Sequence, residues 1–452
     1  MATPSPIPAA AERMVEGANA PAAHVPRRWR NLAAITGVEV VDTAEAGLVN
    51  ILFPAIAASL RLDSGHLGLL SAAAKLVSAP FGPAWVWLAG RIGRKAALIA
   101  TTVTGGIFGM LAGFSDSFLS LLVFNTLMSA CLIGGQPISN AIIADLFDDK
   151  TRGIASGYFY AAIVAVSSLL GPLLALLTGR EHGWRYGMWT IGAICIVAAL
   201  AIMAFYRDPG IGASEPQLTG VSERTRTRPV TIGGVLLLFR IPSYSIMMLS
   251  RLLSGHLLIT IFGVQFLVSE RGFTNAAAAI VLVPFGIGYV GGTIGGGFAV
   301  AWLDRVWEDT GRIVFIQIAQ VGFAIVAFFG TQFTYAGIAV YGLFWGLFGL
   351  FQGMNPPVNR PIVMSVVLPE LRGQAFAIFL TIFQTIGWAM FALTAGWLAT
   401  RLGLEGVFLW ILVVLMLVNG LALAALHVTY PRDARRVTRE LERRRAAAQG
   451  CG

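Results

Sequence analysis

The chain has 452 residues, of which 56% are hydrophobic and 12% are charged, and it carries a net charge of +9. Soluble domains contain about 25% charged residues, so this composition excludes a soluble protein and indicates an integral membrane protein. The positive charge does not indicate nucleic-acid binding, because most lysines and arginines lie in the two tails and in alternate loops between apolar segments. That asymmetry predicts that both termini lie in the cytoplasm.

Apolar segments of about twenty residues, the length that crosses a bilayer, recur twelve times along the chain. The predicted spans 1 to 12 are 31–59, 66–89, 96–115, 118–146, 154–178, 186–206, 243–268, 276–303, 312–331, 334–367, 374–400 and 405–428. The longest connection is polar and separates two halves of six spans each. We therefore predict an all-α membrane protein with a disordered N-terminal tail 1–30, a six-helix bundle 31–206, a cytoplasmic central loop 207–241, a second six-helix bundle 242–428 and a basic tail 429–452.

Span 1 carries three carboxylates, Glu39, Asp42 and Glu45. Each costs about 2.5–3.5 kcal/mol at bilayer depth, so the three must face protein, water or a cation. Steps of three residues place Asp42 about 60° from each of the others on a helix, which predicts one shared polar face. We predict Asp42 as the principal proton carrier, then Glu45 and Glu39, because carboxylates that alternate between wet and dry surroundings bind and release protons. The alternative is a static ion pair with Lys75 or an arginine.

Lys75 lies inside span 2, at a depth similar to that of Glu45. A Glu45–Lys75 pair across spans 1 and 2 is the favoured expectation, and contact of Lys75 with substrate is the alternative. Gln136, in the Gly-Gly-Gln-Pro segment of span 4, is expected near a cavity.

Spans 7 and 10 carry Arg251 and Arg360, and His256 follows Arg251 by five residues. An arginine fork suits a carboxylate, sulfonate or phosphate, so both arginines are substrate-binding candidates. The alternative for Arg360 is a side chain near the cytoplasmic end that reaches the surface or binds a helix end. His256 is a candidate proton relay or a satisfied buried histidine. Three prolines around Arg360 predict that span 10 breaks or kinks.

The two halves repeat one spacing. Pro137 precedes Arg152-Gly153 by fifteen residues, and Pro357 precedes Arg372-Gly373 by the same interval. Matching loops in two six-span halves indicate an internal duplication.

The loop after span 2 reads LAGRIGRK and resembles the helix 2–3 loop of the major facilitator superfamily, whose pattern is Gly-x-x-x-Asp-Arg-x-Gly-Arg-Arg/Lys. The matching residues are Arg91, Gly93, Arg94 and Lys95. Gly90 replaces the aspartate of the pattern, and Val86 replaces its first glycine. The second copy, after span 8, keeps Asp304 and Arg305. The resemblance covers all twelve spans, and weaker features are similar to spinster-type lipid transporters and to aromatic-acid/proton symporters.

This resemblance implies alternating access around a central site, with loops at the cytoplasmic side acting as gates. The gating candidates are Arg91, Arg94, Asp145, Arg152, Asp304, Arg305 and Arg372. Because Gly90 carries no charge, the first loop is expected to be a weak latch unless Asp145 supplies the charge through Arg91 or Arg152. Asp304 is expected to pair with a basic residue or to cap a helix.

The expected function is secondary active transport of a small organic solute, anionic or zwitterionic, coupled to protons, by a monomer in the plasma membrane. Efflux of drugs or lipid-like amphiphiles, and a sensor or scaffold that transports nothing, are the alternatives. A membrane enzyme is disfavoured because no sizeable loop displays catalytic groups. No cofactor is expected, and no His/Cys/Asp cluster has metal-ligand spacing.

Overall fold

The computed structural model describes residues 25–62, 64–175, 182–219, 221, 230–307 and 310–450. Within these ranges every regular element is a helix. In the first half the helices are α1 Arg28–Leu60, α2 Ser64–Ser78, α3 Phe81–Ile92, α4 Arg94–Gly113, α5 Phe118–Leu132, α6 Gly135–Leu146, α7 Arg152–Ala175 and α8 Gly183–Phe205. In the second half they are α9 Ile232–Leu236, α10 Pro242–Leu253, α11 Leu257–Ser269, α12 Asn275–Ile280, α13 Leu282–Val306, α14 Gly311–Gln332, α15 Ile338–Gly353, α16 Pro356–Val366, α17 Arg372–Ala377, α18 Gln384–Phe408, α19 Leu415–Ala422 and α20 Leu426–Gly450.

Eight helical segments of the described chain are long and apolar enough to cross a membrane, or nine if the bent pair α2 and α3 is one span. That pair meets at an angle of 41°. Helix α1 has 33 residues, ample length for a bilayer, but carries the three carboxylates. The predicted total of twelve spans, and the division into two six-helix bundles, stay predictions.

Several predicted spans are broken. Span 10 consists of α15 and α16, which confirms the break expected from its prolines. Pro356 and Pro357 occupy the first turn of α16, where a missing N–H leaves no hydrogen bond unmade. Span 4 is likewise broken between α5 and α6, and span 7 between α10 and α11. A π-helical turn, Ile378–Phe383, connects α17 to α18.

The two halves approach most closely where α7 crosses α13. A Cβ on Gly157 would lie 2.5 Å from the backbone oxygen of Thr293, and one on Gly297 would lie 3.0 Å from the oxygen of Gly153. Only glycine, which has no Cβ, permits the two backbones to approach this closely, so the crossing depends on Gly157 and Gly297.

Both ends of the described chain lie at one face, here named the terminal face, together with loops 147–151, 206–219 and 367–371. The start of α1 is held there by Asn31, whose Nδ2 donates to the backbone oxygen of Arg207 at 2.9 Å. Residues 429–450 of the basic tail, predicted only as a charged segment, belong to α20, and Arg444 on that helix pairs with Glu370 at 2.8 Å. Helix α1 begins at Arg28, and residues 1–24 of the predicted disordered tail lie outside the described residues.

Candidate functional site

A cavity of about 500 Å³ lies between the halves. Its walls come from α1, α2, α5 and α6 on one side and from α11, α18 and the π-helical turn on the other. Its polar lining consists of Glu39, Asp42, Thr43, Ser71, Lys75, Ser78, Asn125, Ser129, Gln136, Thr260, Thr381, Gln384, Thr385 and Trp388. The hydroxyl of Thr381 donates to the backbone oxygen of Ala79 at 3.1 Å and joins the halves on the terminal-face side. The cavity therefore lies on the side away from the termini.

Two carboxylates of α1, Glu39 and Asp42, line this cavity and are 5% and 2% exposed. The Thr102 hydroxyl donates to Asp42 Oδ2 at 2.9 Å, and the Ser139 hydroxyl lies 3.5 Å from Glu39 Oε2. Asp42 Oδ1 has no hydrogen-bond partner among the described residues. Neither carboxylate is paired with a cation in that part of the chain, so both remain free to meet a solute or a proton.

Glu45 does not share their surroundings, contrary to the expectation of one polar face. It is completely buried and faces α4 and α8, where the Cys195 thiol lies 2.9 Å from its Oε2 and Gly109 leaves space for its Oε1. Glu39 and Glu45 lie about 120° apart around α1, on either side of Asp42, so a helix can turn only one of them toward the cavity.

The predicted Glu45–Lys75 ion pair is therefore wrong. Lys75 faces the cavity, and its ammonium nitrogen lies 4.9 Å from the ring centroid of Trp388 on α18. This cation–π contact connects the two halves. Within the described ranges no carboxylate pairs with Lys75, so its charge is available to an anion.

The other predicted substrate residues separate into two groups. Gln136 lines the cavity, as expected. Arg251, Arg360 and His256 are buried outside the cavity lining, at 8%, 5% and 4% exposure. The alternative in which Arg360 reaches the surface is therefore wrong. Both guanidinium groups border the ring of Phe379, at 5.6 Å from Arg251 and 5.8 Å from Arg360.

At the terminal face, Arg94 forms ion pairs with Asp145 and Asp208. Asp145 also accepts the backbone N–H of Gly212 at 2.9 Å. Asp145 thus supplies the charge that Gly90 lacks, but through Arg94 and not through Arg91 or Arg152. Arg91 is exposed and stacks on its own helix, 4.0 Å from the Trp87 ring.

Arg152 and Arg372, the arginines of the repeated spacing, make equivalent contacts. Each Nε donates to a backbone oxygen eight residues earlier, Ala144 at 3.2 Å and Met364 at 2.9 Å. Both then donate to the same carboxylate oxygen of Glu215, at 2.7 and 2.6 Å. These matching contacts support the internal duplication, since each half contributes one arginine to a shared partner.

Glu215 belongs to the central loop and was missed by sequence reasoning, because an isolated glutamate in a polar loop carries no periodic signal. Burial by itself would raise its pKa, but the charges of Arg372 and Arg152 prevail and hold the pKa at about 2. The carboxylate is therefore ionised across the physiological range and binds both halves.

A second inter-half contact involves Arg312, which was not among the gating candidates. It pairs with Asp304 at 2.6 Å and with Asp149 of the other half at 2.8 Å. Asp304 Oδ1 also accepts the backbone N–H of Arg312 at 3.1 Å, so it both pairs and caps, as expected. Arg305 is exposed and makes no ion pair with the described residues.

Comparison with known proteins agrees with this architecture. A sequence model of the Major Facilitator Superfamily matches residues 37–392. The chain is 26% identical over 244 residues to the probable 4-methylmuconolactone transporter of Cupriavidus pinatubonensis, an alignment that covers 50% of this chain and 57% of that relative, less than two thirds of its length. It is 25% identical over 312 residues to the 3-(3-hydroxy-phenyl)propionate transporter of Escherichia coli, covering 69% of this chain and 72% of that protein.

Among solved structures, the fold is similar to the human organic anion transporter MFSD10, with a TM-score of 0.67 at 15% identity over 88% of this chain and 100% of that one. It is also similar to the proton:xylose symporter XylE, with a TM-score of 0.66 at 13% identity over 90% of this chain and 95% of that one. These identities show the fold alone. With the sequence match across most of its length, the chain is a multi-pass membrane transporter and belongs to the Major Facilitator Superfamily.

Proposed function

We propose that the protein is a proton-coupled secondary transporter of a small organic anion, or of a zwitterion with an anionic group. The observation that carries this proposal is the unpaired ammonium of Lys75, which faces the cavity and contacts Trp388. An unpaired cation beside an aromatic ring suits an aromatic or unsaturated acid, because the cation attracts the acid group and the ring packs on its apolar part.

The size of the cavity supports a small solute, since sites for small molecules occupy about 300–1,000 Å³ and this one has about 500 Å³. Two relatives are named as a 3-(3-hydroxy-phenyl)propionate transporter and a probable sulfoacetate transporter, and both of these solutes are small organic anions. Hydroxyl and amide groups from both halves offer the polar contacts that would orient such a solute.

Proton coupling is supported by the position of Asp42 and Glu39. Both are buried and border the cavity, and neither has a cation partner in the described chain. When the halves rock, the hydration of these carboxylates changes, and so does their affinity for protons. Protonation also removes the negative charge that would otherwise repel an anionic solute entering the same cavity.

The topology belongs to the same proposal: twelve spans, both termini in the cytoplasm, and a monomer in the cell membrane that acts without nucleic acid or cofactor. The closed terminal face would then be the cytoplasmic gate, and the cavity would face outward. This orientation follows from the lysines and arginines concentrated in the loops and tails of the terminal face.

The test is uptake of labelled 3-(3-hydroxyphenyl)propionate and sulfoacetate into proteoliposomes, with and without an imposed pH gradient. We expect gradient-driven accumulation that a protonophore abolishes. Lys75→Gln should lower uptake at least about tenfold, the loss expected when one good charge contact is removed. Lys150→Gln, which removes an exposed lysine of the terminal face, is the matched control.

Two results would contradict the proposal. One is flux that is unchanged by the pH gradient for every acid tested, in both directions. The other is uptake by Lys75→Gln equal to that of the Lys150→Gln control.

A further inference from the structure

Two buried arginines lie beyond the cavity, on the side of the terminal face. Phe379 precedes the cavity-lining Thr381 by two residues, and its ring is bordered by the guanidinium groups of Arg251 and Arg360. The two arginines come from α10 and α16, which are far apart in sequence. The fold has therefore brought two like charges to one aromatic ring.

This pair of charges has almost no compensation. Arg251 makes no hydrogen bond with the described residues, and Arg360 makes one, from Nη1 to Asn359 Oδ1. The Nε atoms of both side chains are buried without an acceptor. In the described ranges neither arginine is paired with a carboxylate. Because buried charges are costly unless they are paired, and these two also repel each other, an anion bound between them would lower the cost of burying them.

The cluster lies where the two halves meet. Asn140 and Arg360 occupy equivalent places in the duplication, each three residues after Pro137 or Pro357. Both contact Tyr160: Asn140 Nδ2 donates to its hydroxyl at 2.8 Å, and the Arg360 guanidinium lies 4.5 Å from its ring centroid. A ligand at this position would contact both halves, so its affinity would depend on how the halves are placed relative to each other.

Resting on the proposed function, we infer that Arg251 and Arg360 form a second, oxyanion-binding site, distinct from the Lys75 cavity, which receives the carboxylate or sulfonate group of the solute. Each arginine offers a planar fork that matches two oxygens of such a group. Phe379 and Tyr160 border the site and would pack against the apolar part of the solute. The solute therefore binds Lys75 first. It contacts the arginine pair afterwards, when the halves close over it.

The position of His256 agrees with this site. It is the last residue of the break between α10 and α11, is 4% exposed, and its Nδ1 has no partner among the described residues. Arg251, Arg360 and His256 thus each leave one side-chain nitrogen buried without a partner, and an oxyanion between the arginines would accept hydrogen bonds from their guanidinium groups.

The test measures binding by the purified full-length protein through the shift of its thermal unfolding midpoint. The probes are 3-(3-hydroxyphenyl)propionate, the corresponding neutral amide, and inorganic sulfate. We expect the acid to stabilise the wild type and the amide to leave it unchanged. Arg251→Lys and Arg360→Lys keep the charge but lose the fork, and each should weaken acid binding at least about tenfold. Arg401→Gln, at an exposed arginine that stacks on Trp397, is the control.

Replacement of Arg251 by methionine provides an independent readout. It removes an unpaired buried charge, so the protein without ligand should unfold at a higher temperature while acid binding is lost. A stabilising effect of the acid that is equal in wild type, Arg251→Lys and Arg360→Lys would overturn the inference. Equal stabilisation by acid and amide, or no effect of acid and sulfate on the wild type, would also overturn it.

These outcomes are separable from those of the proposed function. If acid binding depends on both arginines but no pH-driven flux occurs, the transport proposal fails and the oxyanion site stands. If flux is normal and the arginine variants bind the acid as tightly as the wild type, the second site fails and the transport proposal stands.

Discussion

The three carboxylates of α1 occupy different surroundings, although they are evenly spaced in sequence. Asp42 has the cavity on one side and the Thr102 hydroxyl on the other. Glu39 borders the cavity near the start of α6, whereas Glu45 is enclosed by α4 and α8 against Cys195. Only Asp42 and Glu39 can exchange protons with water in the cavity. Substitution of Asp42 and substitution of Glu45 should therefore have different effects on proton-driven transport.

Asp42→Asn should abolish proton-driven accumulation and preserve solute exchange. Asparagine keeps the size and one acceptor for Thr102 but binds no proton in the physiological range. We expect accumulation under a pH gradient to fall at least about tenfold, equivalent to about 1.4 kcal/mol of lost coupling. Counterflow, in which internal unlabelled solute drives the entry of labelled solute without a gradient, should stay near the wild-type rate.

Glu45→Gln is the matched control for this prediction. Its side chain has the same length as glutamate and stays among Cys195 and Gly109, away from the cavity. We expect wild-type accumulation from this variant. Equal losses in Asp42→Asn and Glu45→Gln would show that burial alone, and not access to the cavity, explains the effect of the carboxylates.

Sequence reasoning located the charged residues of the spans but not all of their partners. The depth of Lys75 and Glu45 follows from counting residues, and counting suggested that they meet. The rotation of α1 decides otherwise, and that rotation depends on packing against α4 and α8, which no local pattern encodes. Glu215 and Asp149 were missed for a related reason. Both lie in loops, and their ion-pair partners are distant in sequence, so only the fold shows which residues they contact.

At the scale of helices, the broken spans and the glycine crossing determine how the halves meet. The prolines of span 10 were sufficient to predict the break between α15 and α16. The breaks in spans 4 and 7 were not predicted, because Pro137 is a single proline and span 7 has none at its break. Only the structure identifies α7 as the partner of α13, because the many glycines of span 8 do not specify which helix approaches them.

Gly157→Ala should open the terminal face. The added Cβ would lie 2.5 Å from the backbone oxygen of Thr293, so α7 and α13 must separate. Overpacking of this kind costs about 1–3 kcal/mol, a shift of about 5–150-fold in the ratio of closed to open molecules. The distance between spin labels at Arg91→Cys and Arg305→Cys, in a background without the three native cysteines, measures that ratio.

Gly295→Ala controls for the general effect of replacing a glycine within a helix. Gly295 lies on α13 beside the crossing, and a Cβ there meets no atom within 4 Å. Alanine should therefore leave the label distance unchanged and raise helix stability slightly, since alanine is favoured over glycine in a helix by about 1 kcal/mol. A closed terminal face in Gly157→Ala would contradict the role given to this crossing.

At the scale of the molecule, the terminal face is closed by ion pairs that span both halves and the central loop. Glu215 joins Arg152 to Arg372, and Arg312 joins Asp149 to Asp304. The resemblance of the sequence to its superfamily predicted the fold, and the location of the gates stays a prediction. The resemblance could not predict which face is closed, because one sequence must support both states of the cycle with a small difference in free energy.

The pH dependence of this closure follows from Glu215. Its pKa is about 2 in the closed form, where burial is outweighed by Arg372 and Arg152, against an ordinary value of 4.5. A lowered pKa contributes stability that is complete above the ordinary value and is lost as the pH falls toward the lowered one. Closure through Glu215 should thus be constant between about pH 6 and pH 8. Any proton dependence of transport in that range must come from other groups.

Glu215→Gln should shift the protein toward the form that is open at the terminal face. Glutamine carries no charge, so Arg372 and Arg152 lose the carboxylate that joins the halves, and the closed fraction should fall at least about tenfold relative to the open one, about 1.4 kcal/mol. The spin-label distance across the terminal face should lengthen at neutral pH, and wild-type protein should show the same change only as the pH falls below about 4. Asp116→Asn, which removes a carboxylate paired with Arg185 on the other face, should leave the distance unchanged. If the distances of Glu215→Gln and wild type agreed at neutral pH, the Glu215 ion pairs would have no part in closing the gate, and the Arg312 ion pairs and the glycine crossing would hold it.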